Sequence, residues 1–429
     1  LSVLKKELVV TTGCTDPAAI ALAAAVARKY LAGEVKFVDV LLSMNVYKNA
    51  VNVGIYGTHK RGVYYAAALG FVCGDFTKGL EVLSDVSSEH VQKVEDLLKK
   101  VAFNVSYSEN VSPLYIEVSL KAENSQVSVV IEEDYNNIAK IVKDNEIIYQ
   151  KNSSKIEELD IMKDVTIEEI IDFAETVNID DIMFLKEGIK LNKFAAREGL
   201  KNKAGFKLGS TLYDSSKEQG CGGKMWKAYQ KARAYTAAAV EARMTGMKIP
   251  IMALAGSGNH GVTGILTVLA VAEVENCSEE KLMRSLAISA LITSYIKNSM
   301  SRVTALCGCG VGAATGATAA ISWMLGGSLE YISNSMQSMV GNLTGMICDG
   351  AKESCAFKVS VSAGEAVLSA YLASKQSYVK KSTGIVATDI EESLANLGKL
   401  NNSGMKEADR IILDMVRSIH NNSDTSTCL

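Results

Sequence analysis

Nine cysteines stand at positions 14, 73, 221, 277, 307, 309, 348, 355 and 428. Three of them keep the company of a metal centre. Cys307 lies in Ala305-Leu306-Cys307-Gly308-Cys309, and Cys348 and Cys355 close the stretch that runs from Gly345 through Asp349, Gly350 and Lys352. Thiolates are the preferred protein ligands of iron–sulfur clusters. Gly308, Gly310, Gly345 and Gly350 would let backbone approach a bulky inorganic core and offer it N–H groups. Three ligands rather than four leave one iron open, as a Lewis-acid site requires. The C-x-C and C-x6-C spacings match neither the ferredoxin nor the zinc patterns, so spacing alone favours buried structural thiols. Cys73, Cys221 and Cys277 sit singly in apolar or turn-like contexts and read as small buried hydrophobes.

Cys14 is a separate feature, in Gly13-Cys14-Thr15-Asp16-Pro17. Asp16 is a suitable N-cap and Pro17 suits a first helical position. The positive end of the helix dipole would lower the Cys14 pKa, giving a thiolate base or nucleophile; the alternative is an idle thiol in a pre-helix turn. Gly256-Ser257-Gly258-Asn259-His260-Gly261 precedes an apolar helix. It offers N–H groups to a carboxylate or phosphate, or serves as a plain connecting turn. It lacks the Lys-Ser/Thr ending of a P-loop. Asn45, Lys48 and Asn49 follow the first strong strand signal and could hold an amino-acid carboxylate and ammonium, or cap a strand end. Lys297, upstream of Cys307, invites the same two readings.

The elements that must position these residues divide into two kinds. Residues 1–33 read as helical, with an Ala-rich run from Ala18 to Leu31. Strand signals follow at 36–42, 51–56, 103–107, 115–120 and 127–132, with helices near 61–68 and 87–101. After Lys190 long Ala, Met, Leu and Ser-rich helical segments dominate, broken by glycine clusters. The expected fold class is therefore α+β: a large all-helical catalytic domain carrying a smaller inserted α+β domain. The expected divisions are 1–33, N-terminal helices of the helical domain; 34–190, the insert; and 191–429, the cluster-binding helical domain.

Composition narrows the class of function. A formal charge of -3 gives no footprint for nucleic acid or an anionic membrane surface. The uncharged stretch 303–329 is long enough to span a bilayer, but its Gly, Ser, Thr and Cys content makes burial among helices the better reading. Leu1 to Glu7 lacks the pattern of a secretory signal, and nine cysteines are an odd number for a disulfide framework. The expected setting is a reducing cytoplasm, with a small molecule as partner. An apolar helical surface would suit a homodimer.

Taken together and in order, these islands resemble the iron–sulfur L-cysteine desulfidases, relatives of the α-chain of bacterial iron–sulfur L-serine dehydratases. The resemblance rests on Gly13 to Pro17, Asn45 to Asn49, Gly256 to Asn259, Ala305 to Cys307 and Gly345 to Cys355. It implies a [4Fe–4S] cluster on Cys307, Cys348 and Cys355, and a catalytic thiol at Cys14. Cys309 could compete with Cys307 as ligand, and Cys428 could fold back on the cluster or lie in a frayed tail. The implied reaction is a non-redox β-elimination of L-cysteine to sulfide, pyruvate and ammonia. Cys14 is the first candidate base, with Lys297 or His260 behind it. Asn45, Lys48, Asn49, Ser257, Gly258 and Asn259 are the expected substrate contacts. The competing expectations are an L-serine dehydratase and a non-catalytic iron–sulfur redox sensor.

Overall fold

The computed structural model describes residues 1–151, 162–163, 165–218, 222–300 and 303–424. Cys221 and Cys428 lie outside the described residues. The fold is α+β, with two principal hydrophobic cores and a smaller third between helices.

The first core lies under a six-stranded sheet. Its strand order is Ala102–Ser108, Phe37–Ser43, Tyr115–Lys121, Gln126–Glu132, Ile138–Lys143 and Glu146–Gln150. Phe37–Ser43 pairs in parallel with Ala102–Ser108 and antiparallel with Tyr115–Lys121. The parallel pair needs a long crossover, which the helices Gly62–Cys73 and Ser88–Leu98 provide. Alternation puts Val38, Val40 and Leu42, Ile116, Val118 and Leu120, and Val127, Val129 and Ile131 on the buried face.

The helix Thr15–Tyr30 covers that face and is buried from Thr15 to Ala27. Its alanines allow close approach by the helix Gly62–Cys73, where a Cβ on Gly70 would stand 2.3 Å from the Ala21 carbonyl oxygen. The Ala-rich run was legible as a helix, but not its burial or what buries it. Thr15–Tyr30 packs on the sheet, not in the helical body to which the sequence had assigned residues 1–33.

The helical body centres on Lys224–Met244, against which Cys355–Ala373, Gly258–Glu275, Leu185–Asn202 and Leu208–Glu218 pack. Glu279–Met300, Ala314–Met324, Leu329–Leu343 and Ile390–Lys399 complete the main core. Gly199 and Gly209 both meet the Ala238 backbone, closer than any side chain would permit. The uncharged stretch after Val303 is buried here, in a short π-helix Gly308–Ala313 and then Ala314–Met324. Among the described residues no helix is long and apolar enough to cross a membrane.

The chain visits the two cores in an order that composition hides. Leu4, in the helix Ser2–Glu7, belongs to the helical core. Leu8–Thr12 is then a strand, paired antiparallel with Pro250–Leu254, where residues 1–33 had read as wholly helical. Five β-branched or apolar residues form it, and a partner about 240 positions away left no local hairpin signal. The chain passes through the sheet unit and re-enters the helical core by Met162, followed by the helix Ile167–Thr176. The transition thus falls well before the expected 190. Residues 51–56 form turns with one bridge, Gly54 to Arg61, rather than a strand. Ile138–Lys143 and Glu146–Gln150 are strands that the sequence reading did not mark.

Candidate active site

Gly13 adopts φ +70° after the first strand, a conformation that favours glycine, and turns the chain into Cys14. Cys14, not Asp16, is the N-cap of Thr15–Tyr30. Asp16 is thereby free of the capping role the sequence had given it. Its carboxylate accepts from Tyr135 Oη at 2.9 Å, Asn49 Nδ2 at 3.4 Å and the Cys14 thiol at 3.6 Å. Burial pushes Asp16 up to about 6, against the pull of those three donors. Burial likewise pushes the Cys14 thiol up to about 12, offset only in part by the Arg243 charge. The expected dipole-stabilised thiolate is therefore overturned: desolvation outweighs the helix end, and Cys14 is a thiol at neutral pH.

The cysteine loops are joined by backbone. Leu306 and Ile347 form an antiparallel bridge, flanked by Cys307 N to Met346 O at 2.8 Å and Cys348 N to Ala305 O at 2.7 Å. Cys307 caps the π-helix and its sulfur accepts from Gly310 N at 3.4 Å. π-Helical turns recur at functional sites, where the extra residue re-aims the backbone. Asn401 pins the same loop, accepting from Leu306 N at 3.1 Å and donating to Met300 O at 2.8 Å. Cys355 opens the helix Cys355–Ala373. Gly350, at φ +96°, presses on Lys48: a Cβ there would lie 2.4 Å from the Lys48 carbonyl oxygen. Asp349 is gripped by Lys352 and Lys358, which hold it at about 2 although half-burial pushes the other way.

One cavity, about 720 Å³ measured out to its open mouth, gathers these parts. Cys14, Asp16, Asn49, Tyr135, Arg243, Ser257, Asn259, His260 and Lys297 line it together with Cys307, Cys309, Cys348 and Cys355. Of the sequence-predicted residues, Asn45, Lys48 and Gly258 do not. The Lys48 ammonium is buried in an ion pair with Asp409, and the cysteine loop meets Lys48 at its carbonyl and at the foot of its side chain, not at its charge. Gly258 acts indirectly: a Cβ there would lie 2.3 Å from Arg243 Nε, so glycine makes room for that guanidinium. Arg61 reaches from the sheet unit to Glu353, beside Cys355.

His260 Nδ1 faces the Leu254 carbonyl at 3.1 Å, which assigns the proton to Nδ1 and leaves Nε2 an acceptor. Burial first, then the Lys297 charge, lowers His260 to about 3, so the ring is neutral at physiological pH. Lys297 Nζ reaches Thr304 Oγ1 at 3.4 Å. Gly308 lies against both, with room for no side chain: a Cβ would be 2.6 Å from His260 Nε2 and 3.1 Å from Lys297 Nζ.

The donor set fits an iron–sulfur cluster. Cys307, Cys309, Cys348 and Cys355 are free thiols on one cavity wall, close enough for their charges to interact. Cys307 is held below the ordinary thiol range by hydrogen bonds from Cys309 and Gly310, whereas burial and its neighbours Cys348 and Cys307 push Cys355 up to about 12. Thiolates that repel one another in a buried wall are stabilised together by bound cations. Among the described residues no three His, Cys, Asp or Glu side chains converge as ligands of a single ion.

Three lining residues had no sequence expectation attached to a site: Asp16 was read as a cap, Tyr135 lies in a turn between strands, and Arg243 in an Ala-rich helix. For Arg243 a signal existed. Glu241 and Arg243 are charges set directly after the run Ala237-Ala238-Ala239-Val240, and both are buried. Glu241 has a structural task, accepting Leu208 N and Gly209 N at 2.9 Å each at the start of Leu208–Glu218.

Comparison with known sequences gives a consistent result. Residues 77–414 match the sequence profile of a family described as the serine dehydratase alpha chain. A UPF0597 protein of Methanocella arvoryzae is 40% identical over 417 residues, 97% of each chain. A UPF0597 protein of Clostridioides difficile is 38% identical over 427 residues, covering 98% of this chain and 99% of its own. One from Clostridium botulinum strain Okra is 38% identical over 419 residues, 97% of this chain and 96% of its own.

Proposed function

The chain belongs to the serine dehydratase alpha chain family, and from that premise we propose that it is a lyase removing the β-substituent of a small L-amino acid, with L-cysteine as substrate. The observation that carries the proposal is the single cavity in which Cys14 and Asp16 face the wall of Cys307, Cys348 and Cys355. Those three would hold a [4Fe–4S] cluster, and the cluster when bound would supply an open iron as Lewis acid for the leaving sulfur. Cys307 is preferred over Cys309 as ligand because the Gly310 N–H and Cys309 both stabilise its thiolate.

The chain's own residues supply binding and proton transfer. Asn49, Ser257 and Asn259 present polar groups to an amino acid in the cavity. Cys14 is the candidate acceptor of the α-proton, and passes its own proton to Asp16 in order to act. Lys297, beside His260, adds a positive charge to the wall. Loss of the α-proton and of the β-sulfur as sulfide leaves aminoacrylate, which tautomerises and hydrolyses to pyruvate and ammonia. On this reading the sheet unit is an insertion into the helical body that brings Asn49 and Tyr135 to the site, and the free thiols belong in a reducing cytoplasm.

Serine elimination is the second reading, favoured by the family's description. The deciding experiment is anaerobic purification and reconstitution with iron and sulfide, followed by assay of L-cysteine and L-serine side by side. Equal sulfide and pyruvate from cysteine, with little pyruvate from serine, supports the desulfidase; the reverse moves the assignment to the dehydratase. Bound iron without turnover of either would favour a redox sensor, and failure to bind iron would remove the cluster from the account.

A further inference from the structure

Arg243 is a buried guanidinium of which two nitrogens are used and one is not. Nε donates to the Gly13 carbonyl at 2.9 Å and Nη1 to Asn259 Oδ1 at 2.9 Å. Nη2 is buried and has no hydrogen-bond partner, although Arg243 lines the cavity. Both strong contacts are to neutral groups. The two carboxylates of the cavity wall are committed elsewhere, Asp16 to Tyr135, Asn49 and Cys14, and Asp349 to Lys352 and Lys358. Among the described residues no carboxylate is hydrogen-bonded to Arg243, although the Asp16 charge is near enough to act on it, and a desolvated cation so placed is costly to maintain. Shape makes room for it, since Gly258 is bare where a Cβ would strike Nε, while the positive start of the helix Gly258–Glu275 disfavours the cation and adds to the pull on an anion. The guanidinium is thus held through Nε and Nη1, with Nη2 left unpaired on a side chain that lines the cavity.

We propose that Arg243 is the carboxylate anchor of this site, with Nη2 donating to the α-carboxylate of the incoming amino acid. This deepens the reading of the site as one for a small L-amino acid and rests on it for the substrate class. An anion small enough to share the cavity with the cysteine wall, and planar enough to meet a guanidinium edge, is a carboxylate. The clamp has a second consequence. Nε holds the carbonyl of Gly13, next to Cys14, and Nη1 holds Asn259, so one side chain would set the distance between the carboxylate and the Cys14 thiol.

The test uses the reconstituted holoenzyme and a ligand that cannot react. L-Alanine has the ammonium and carboxylate of the substrate but no leaving group, and L-alaninamide lacks only the carboxylate charge. Calorimetric titration of wild-type protein is expected to show L-alanine binding at least tenfold more tightly than the amide. Arg243→Gln is expected to lose that preference by weakening L-alanine alone, and Arg243→Lys to retain part of it. The visible absorbance of the cluster and the melting temperature check that each variant is intact. Equal binding of the two ligands by wild-type protein overturns the proposal whether or not the variants fold. So does an Arg243→Gln protein that keeps the tenfold preference. Failure of this proposal and of the proposed reaction are separable: L-alanine selectivity that depends on Arg243 without sulfide release spares the anchor and sinks the desulfidase, whereas sulfide release with KM unchanged in Arg243→Gln does the opposite.

Discussion

The thiol of Cys14 donates to the Asp16 carboxylate at 3.6 Å, two residues along the same turn, and both groups are buried. Among the described residues the carboxylate is the acceptor that the Cys14 thiol is given, and it is itself oriented by Tyr135 and Asn49. A thiol held near 12 cannot be a base at neutral pH until its proton has somewhere to go. Asp16, held near 6, is ionised at pH 7 and is the acceptor the thiol faces, but with the two values so far apart the proton rests on sulfur until bound substrate and cluster change the balance. Asp16→Asn should therefore lower kcat by about 10²-fold or more while leaving the cluster absorbance in place. In wild-type protein kcat/KM should rise as pH passes upward through about 6, and that limb should vanish in the variant. A retained acid limb in Asp16→Asn would assign it to another group.

The same carboxylate makes stability depend on pH in a definite direction. Its folded value, about 6, lies above the ordinary 3.8. The native state therefore binds more protons than the unfolded state between those values, and stability falls as pH rises through the window. Above pH 6 the cost is fully present, on the order of 3 kcal/mol. Asp16→Asn, which keeps an acceptor for Tyr135, should be more stable than wild type at pH 7.5, with the difference shrinking towards pH 4. Urea unfolding of the iron-free proteins at both pH values measures it.

The cysteines should separate into groups by what is lost. Replacing Cys307, Cys348 or Cys355 by Ser is expected to abolish the visible absorbance of the cluster and turnover together. Cys14→Ser is expected to keep the absorbance and lose turnover by two orders of magnitude or more. Cys309→Ser should keep the cluster, and in the iron-free protein the Cys307 thiol pKa should rise because one of its donors is weakened. Iron content and absorbance per chain, measured beside activity, distinguish these outcomes. Loss of the cluster in Cys309→Ser with retention in Cys307→Ser would exchange their roles.

What could be read in the sequence was which cysteines belong together, because Cys14, Cys307, Cys348 and Cys355 each sit in a short stretch of glycine and polar residues. Cys14, Cys307, Cys348 and Cys355 do share one cavity. The contacts around them were less legible for stateable reasons. Lys48 and Asn49 are adjacent in the helix Met44–Ala50, and successive side chains there point about 100° apart, so only Asn49 reaches the cavity. Tyr135 meets Asp16 across 119 positions, a pairing fixed by sheet order and not by local pattern. The Cys14 pKa was misjudged because a helix dipole is visible in a sequence whereas the depth of burial is not. Leu8–Thr12 was missed for the same kind of reason, since its partner strand comes only after the whole sheet unit.

The Lys48–Asp409 pair gives a last prediction, one that separates a structural cation from a substrate contact. Both side chains are almost completely buried, at 1% and 8% exposure. The pair joins the helix Met44–Ala50, next to the site, to the C-terminal helix Lys406–Asp424. Removing one member leaves the other charge buried alone, which costs about 3–5 kcal/mol, whereas replacing both by apolar groups of similar size is far milder. Lys48→Met and Asp409→Leu should each be strongly destabilising, and the double variant should recover much of the loss. KM for L-cysteine in the double variant should stay within about threefold of wild type, because no ligand contact has been removed. Denaturant unfolding of the single and double variants, with KM measured for the double, checks both halves. A rise in KM beyond tenfold, with stability restored, would return Lys48 to the binding site.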